Sequence, residues 1–230
     1  QSSEETAFER SLPLTESQLD LEDLCIANSR TLPLKTIIQN VHAIQRRNSL
    51  PESKVESYLD TSIIGCPDLN PPQEAPVQWP HFSVEMETGT GKTYVYLRTI
   101  HELHKQYGFK KFIIVVPSIA IKEGVIKTLQ ITQEHFSSLY DKPEMDYYVY
   151  DPKKRGQLKN FAIANSLQIL VMNIDAFAVS HEKKAARIMY QESDWGIPIE
   201  FIQKTSPIVI LDEPQEMESE IRKGAIVNLK

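Results

Sequence analysis

The stretch VEMETGTGKTYV, residues 84–95, sets two glycines, three threonines and a lysine between an apolar run and a helical pattern. Glycine lets backbone N–H groups turn inward where bulkier residues would obstruct them, so Thr88, Gly89, Thr90 and Gly91 suit a cradle for phosphate oxygens. Lys92 can reach the β- and γ-phosphates, the Thr93 hydroxyl can ligate Mg²⁺, and a helix starting here adds its N-terminal dipole. Against the phosphate-loop pattern G-x-x-x-x-G-K-[ST], only the first glycine is replaced, by Met86. The competing reading is a Gly/Thr-rich turn that happens to precede a helix. A G-x-G-K-T placed between strand and helix favours the cradle.

A second element bears on the reaction. PIVILDEPQ, residues 207–215, is an apolar strand ending in Asp212 and Glu213. Asp212 suits the Mg²⁺ shell, and Glu213 suits orienting and deprotonating the attacking water. An acidic pair alone reads as a solvated strand end; joined to the cradle, it reads as catalytic. A kinase does not need the second carboxylate and a hydrolase does, so ATP hydrolysis with Mg²⁺ is the expected chemistry.

These residues need elements to hold them. HFSVEM (81–86), FIIVVP (112–117), YYVYD (147–151), LQILVMN (167–173) and PIVILDE (207–213) read as strands. Helical patterns lie between them, one with Tyr96, Ile100, Leu103 and Tyr107 on a stripe and one over IAIKEGVIKTLQI. Near-continuous apolar strands separated by helices predict an α/β fold with a mostly parallel sheet covered on both faces, with ligands at the carboxyl ends of the strands. Residues 174–206 are expected to hold a helical insertion. Upstream, LKTIIQNVHAIQRRN (34–48) places Ile37, Val41 and Ile44 on one face of an amphipathic helix. Residues 66–80 carry five prolines and read as a linker or long loop. The domain division is therefore an N-terminal extension over 1–80 and the α/β domain over 81–230.

The chain has 230 residues and a formal charge of −6, which argues against generic coating of nucleic acid but not against a local basic patch. Its start is polar and acidic, unlike a signal or transit peptide, and no run approaches the length of a membrane span. Cys25 and Cys66 form no disulfide framework or metal-ligand spacing, and a cytoplasmic protein with reduced thiols is expected. The missing initiator methionine suggests a fragment.

METGTGKTY, FIIVVPSIAIKEGV and IVILDEPQEME, in that order, resemble motifs I, Ia and II of superfamily-two helicases, and most closely those of the Res subunit of type III restriction enzymes. Met86 and the DEPQ box are the distinguishing features, and the resemblance covers residues 80–230. It implies a first RecA-like motor domain that binds ATP at one edge and double-stranded DNA at the other. It gives Thr88, Gly89, Gly91, Lys92 and Thr93 the motif I roles, and Asp212 and Glu213 those of motif II. Gln215 takes the place that couples the nucleotide to a second motor domain. Pro117 and Ser118 match the motif Ia contact to the DNA backbone, and Lys122 lies one turn on; a plain strand end with a turn is the alternative. Asn173 holds a similar strand-end place, with helix capping equally open. Family members read adenine with a glutamine upstream of motif I; Gln39 and Gln45 lie on the helix expected before the linker, nothing selects either, and surface glutamine is favoured for each. The clusters Lys110-Lys111, Lys153-Lys154-Arg155 and Lys183-Lys184 read either as a DNA path or as solvated faces.

The family further implies ATP-driven translocation or switching on DNA, a methyltransferase (Mod) partner that reads the sequence, and a nuclease domain elsewhere. The chain ends where the next motif, S-A-T, is expected, before the second motor domain with its arginine fingers. Pro67-Asp68 and Glu182-Lys183-Lys184 match the letters of the nuclease signature by coincidence of position. Rival readings are another superfamily-two helicase or translocase, and a catalytically silent nucleotide-binding module.

Overall fold

The computed structural model of the chain describes residues 24–29, 32–52, 82–154, 156–176 and 188–217. The five-proline stretch, Cys66, Pro67-Asp68, Arg155, Glu182-Lys183-Lys184 and the last thirteen residues lie outside the described residues. Among the described residues four strands form the sheet: β1 (Lys111–Val116), β2 (Met145–Val149), β3 (Leu167–Asn173) and β4 (Ile208–Leu211). Their order is β2-β3-β1-β4, and every neighbouring pair is parallel. The expected α/β arrangement is therefore present.

The sheet is covered on both faces because its central strands carry apolar residues on both sides, with Lys111, Gln168 and Asn173 at the strand ends. Phe112, Ile114, Val116, Ile169 and Val171 face helices α2 (Lys92–Tyr107) and α3 (Ile119–Leu139), where Leu97, Ile100, Val125, Leu129 and Phe136 meet them. Ile113, Val115, Leu170 and Met172 face the other way, onto α4 (Gly156–Ile163) and α5 (Pro198–Lys204) through Leu158, Phe161, Ile199 and Ile202. Each such side chain contributes about 1.5–3 kcal/mol by leaving water. The register aligns Val116 with Asn173 and Val115 with Leu211, so these three strands end along one edge.

Several expectations shift by a residue or fail. Residues 82–86, read as a strand, form none: Val84 is 74% exposed and the described sheet stops at β4. A strand exists only against a neighbour, and here apolar composition is not matched by a pairing partner. Helix α1 (Leu34–Arg47) is where it was expected, but Ile38 is its buried residue, whereas Ile44 is 58% exposed. In α2 the buried stripe is Leu97, Ile100 and His101, and Tyr107 is exposed. The expected insertion holds two short 3₁₀ turns (Ile174–Ala176, Ile188–Tyr190) and α5 among its described residues.

Lys111 is not part of any solvated path. It is fully buried at the amino end of β1, and its ammonium donates to the carbonyls of Phe161 and Ala164 at the end of α4. Burial pulls its pKa down to about 8. The same end of the sheet is stitched to an upstream segment. The Asn28 side chain accepts from the Lys110 and Lys111 amides (2.8 and 3.0 Å) and donates to the Lys111 carbonyl (2.7 Å).

Candidate active site

At the opposite, carboxyl edge, β4 delivers Asp212 and Glu213 to the first turn of α2. The Asp212 amide still donates to the Val115 carbonyl, so ladder bonding continues one residue beyond the strand and fixes the carboxylate's origin. Glu213 then takes φ +53°, the left-handed region that non-glycine residues enter at a cost of about 1–2 kcal/mol. A cleft of about 270 Å³ lies between Lys92 and Thr93 of α2, Ile121, Gly124, Val125 and Thr128 of α3, and Asp212 and Glu213.

The loop before α2 is held open by its glycines. Gly89 and Gly91 have φ +82° and +92°, and Gly91 is the N-cap residue of α2. No side chain caps that helix start, whereas α3 is capped by Ser118 Oγ, which accepts from the Ile121 amide at 3.3 Å. The first-turn amides of α2 thus keep the partial positive charge that attracts anions. Thr90 braces the turn, its Oγ1 donating to the Glu87 carbonyl at 2.6 Å. Thr88, Gly89, Thr90 and Gly91 are all exposed.

Lys92 Nζ stands 2.8 Å from Glu213 Oε1, each side chain 28% exposed, and Gln215 Nε2 donates to Glu213 Oε2 at 2.5 Å. Hydrogen bonds from Lys92 and Gln215 hold the Glu213 carboxyl below its ordinary range. Asp212 behaves oppositely. Burial lifts its pKa, and the neighbouring Glu213 charge adds to the rise, opposed by Tyr96 and Lys92. Tyr96 OH donates to Asp212 Oδ2 at 3.2 Å. Burial, then the Asp212 charge, push the phenol's own pKa far up, so it remains a donor.

The donor set suits a hard divalent cation with a polyphosphate. The Thr93 hydroxyl and the Asp212 carboxylate are oxygen donors on the wall of one cleft, and a buried carboxylate is more stable beside a cation. The unpaired helix start, Lys92 and the glycine turn offer contacts to further anionic oxygens. Glu213, anionic and not shared with the metal-type donors, can accept a proton from a water.

The residues read from the two motifs thus come together, although 120 positions separate Lys92 and Asp212. Pro117, Ser118 and Asn173 fall on the same edge at the ends of β1 and β3, with half-buried Lys122 one turn into α3. Ser118 caps α3, and Asn173 Oδ1 accepts from the Asp175 amide at 2.8 Å, so both are used locally as caps. Lys153 and Lys154 are exposed beyond β2. Gln39 is exposed and Gln45 half-buried on α1. Sequence reasoning missed the α3 wall of the cleft and the Tyr96 hydroxyl. Tyr96 sits three residues after Thr93, on the same helix face, which is the one signal that could have found it.

A family model described as "Type III restriction enzyme, res subunit" matches residues 37–224. The Res subunit of the Salmonella typhimurium type III restriction-modification enzyme StyLTI is 36% identical over 154 residues, covering 58% of this chain and 15% of the relative. The Escherichia coli EcoP15I Res subunit is 31% identical over 191 residues, covering 76% and 18%. The EcoPI Res subunit of Escherichia phage P1 is 30% identical over 149 residues, covering 58% and 15%. The chain thus matches less than a fifth of the length of these relatives. Among the described residues no helix is long and apolar enough to cross a membrane.

Proposed function

The chain belongs to the type III restriction enzyme Res subunit family, with its helicase-like α/β domain, and from that premise we propose that residues 81–230 form a first motor domain that binds and hydrolyses Mg·ATP. Residues 1–80 are its extension. The observation that carries this reading is the meeting of Lys92, Thr93, Asp212 and Glu213 around one cleft.

In this reading Thr88 to Gly91 and the first amides of α2 hold the phosphates, and Thr93 and Asp212 hold Mg²⁺. A cation held there would supply neutralisation of the charge that develops at the γ-phosphoryl group. Lys92 leaves Glu213 for the phosphates. A partly exposed ion pair is worth about 1 kcal/mol or less, and a charge-assisted contact to phosphate about 1.5–3, so the exchange runs toward nucleotide. Glu213 is then released to orient and deprotonate the water, with Gln215 beside it to relay the change to a second motor domain.

The physiological task is DNA translocation or switching before cleavage, with nuclease action and sequence reading carried by other parts of a type III enzyme, the latter by a Mod subunit, in the cytoplasm. Pro117, Ser118, Lys122 and Asn173 form the edge offered to double-stranded DNA. An arginine finger from a second domain is worth about 10³ to 10⁵ in rate. The 230-residue chain alone is therefore expected to bind ATP but turn it over very slowly. Single-turnover hydrolysis by the chain and its Glu213→Gln variant tests this: binding is retained in the variant and the residual turnover disappears. A Glu213→Gln variant hydrolysing like the parent would refute the role given to Glu213, and a chain turning over like intact motors would refute the half-site reading.

A further inference from the structure

The Tyr96 hydroxyl reaches the candidate site but belongs to neither motif. We propose that Tyr96 is a positioning residue: its hydroxyl fixes the Asp212 carboxylate, leaving the other carboxylate oxygen for the cation shared with Thr93.

Tyr96 OH donates to Asp212 Oδ2 at 3.2 Å across 116 positions of sequence. Thr93 lies one helical turn earlier on α2 and lines the same cleft as Asp212. The hydroxyl therefore holds one oxygen of the carboxylate beyond the strand, and the helix that carries it also carries Thr93. Asp212 is 8% exposed, and burial together with the Tyr96 hydroxyl limits the rotation of its carboxylate. A carboxylate ligand free to rotate presents either oxygen at either angle, and outer-sphere donors are what select one. The tyrosine ring packs in the cluster between α2, α3 and the sheet, and its hydroxyl reaches Asp212. Packing alone is met by phenylalanine, so the hydroxyl is what needs a reason.

The inference rests on the nucleotide reading above, and the test separates the two. Binding of a fluorescent N-methylanthraniloyl-ATP to the full chain is titrated with Mg²⁺ for the parent and Tyr96→Phe. The Mg²⁺ concentration giving half-maximal binding is expected to rise about tenfold in Tyr96→Phe, with metal-free nucleotide affinity changed less than about twofold. In an Asp212→Asn background the same Tyr96→Phe change is expected to add nothing, because the group it positions is gone. Three results overturn the inference alone: unchanged Mg²⁺ dependence in Tyr96→Phe, equal loss with and without Mg²⁺, or a Tyr96→Phe chain that fails to fold. A parent chain that binds no nucleotide removes the functional reading itself, and the inference with it.

Discussion

Gly91 sits at φ +92° immediately before α2, and a Cβ built there would meet no atom within 4 Å. The constraint is therefore the backbone, not space. Gly91→Ala is expected to cost about 1–2 kcal/mol of stability, read from denaturant unfolding, and to weaken nucleotide binding by tilting the amides. Spacing made this part of the site readable, because the contacts of a phosphate loop are local: Gly89, Gly91, Lys92 and Thr93 lie within five residues. The acidic pair was readable for a similar reason, standing at the end of an unbroken apolar run. Tyr96 was not, since a tyrosine on the apolar stripe of a helix reads as packing until its partner on another strand is seen. Ser118 and Asn173 show the converse. Their residue types fit both capping and phosphate contact; the geometry shows each as a cap, and their place on the carboxyl edge is what keeps them in the proposed DNA contact.

Between elements, the packing of α2 on α3 holds a titratable group that periodicity assigned to no role. His101 is 4% exposed and stacked between Phe136 and Tyr140, at 4.8 and 5.1 Å between ring centroids, with Nδ1 lacking a hydrogen-bond partner. Burial, with the nearby His104 charge, lowers its pKa from 6.5 to about 4. Above pH 6.5 it is neutral folded or unfolded and has no effect. Below that, the unfolded chain takes up a proton that the folded chain resists, so stability falls as pH drops from 6.5 toward about 4. The loss is of order 2–3 kcal/mol, and His101→Phe is expected to flatten that part of a stability–pH profile. A profile unchanged by the substitution would show that other groups govern the acid side. The helix itself was readable from its period, but the buried stripe lies one position from the expected one, because Leu97 and His101 face the sheet and α3. Residues 82–86 failed as a strand for a different reason: apolar composition is local, whereas pairing needs a neighbour.

At the scale of the whole molecule, the segments that form β1 to β4 were visible in the sequence, but their order β2-β3-β1-β4 was not, because it depends on crossovers among distant segments. Nor was the anchoring of residues 26–28. Ile26 and Asn28 amides donate to the Ala162 and Thr205 carbonyls, and the Asn28 side chain serves Lys110 and Lys111 at the base of the sheet. Nothing in the types near Asn28 signals that role. Asn28→Ala leaves half-buried amides without partners, and an unfolding midpoint lowered by the equivalent of about 1–3 kcal/mol is expected. An unchanged midpoint would show this segment to be dispensable to the domain. The base and the carboxyl edge thus divide the labour: one end ties the chain together, and the other gathers Lys92, Thr93, Asp212 and Glu213. That gathering is the central claim, and calorimetric titration of the chain and its Lys92→Ala variant with Mg·ATP tests it most directly. The account predicts binding by the parent and affinity about 10- to 100-fold weaker in the variant, the loss of one charge-assisted phosphate contact. Equal affinity in the two chains would contradict it.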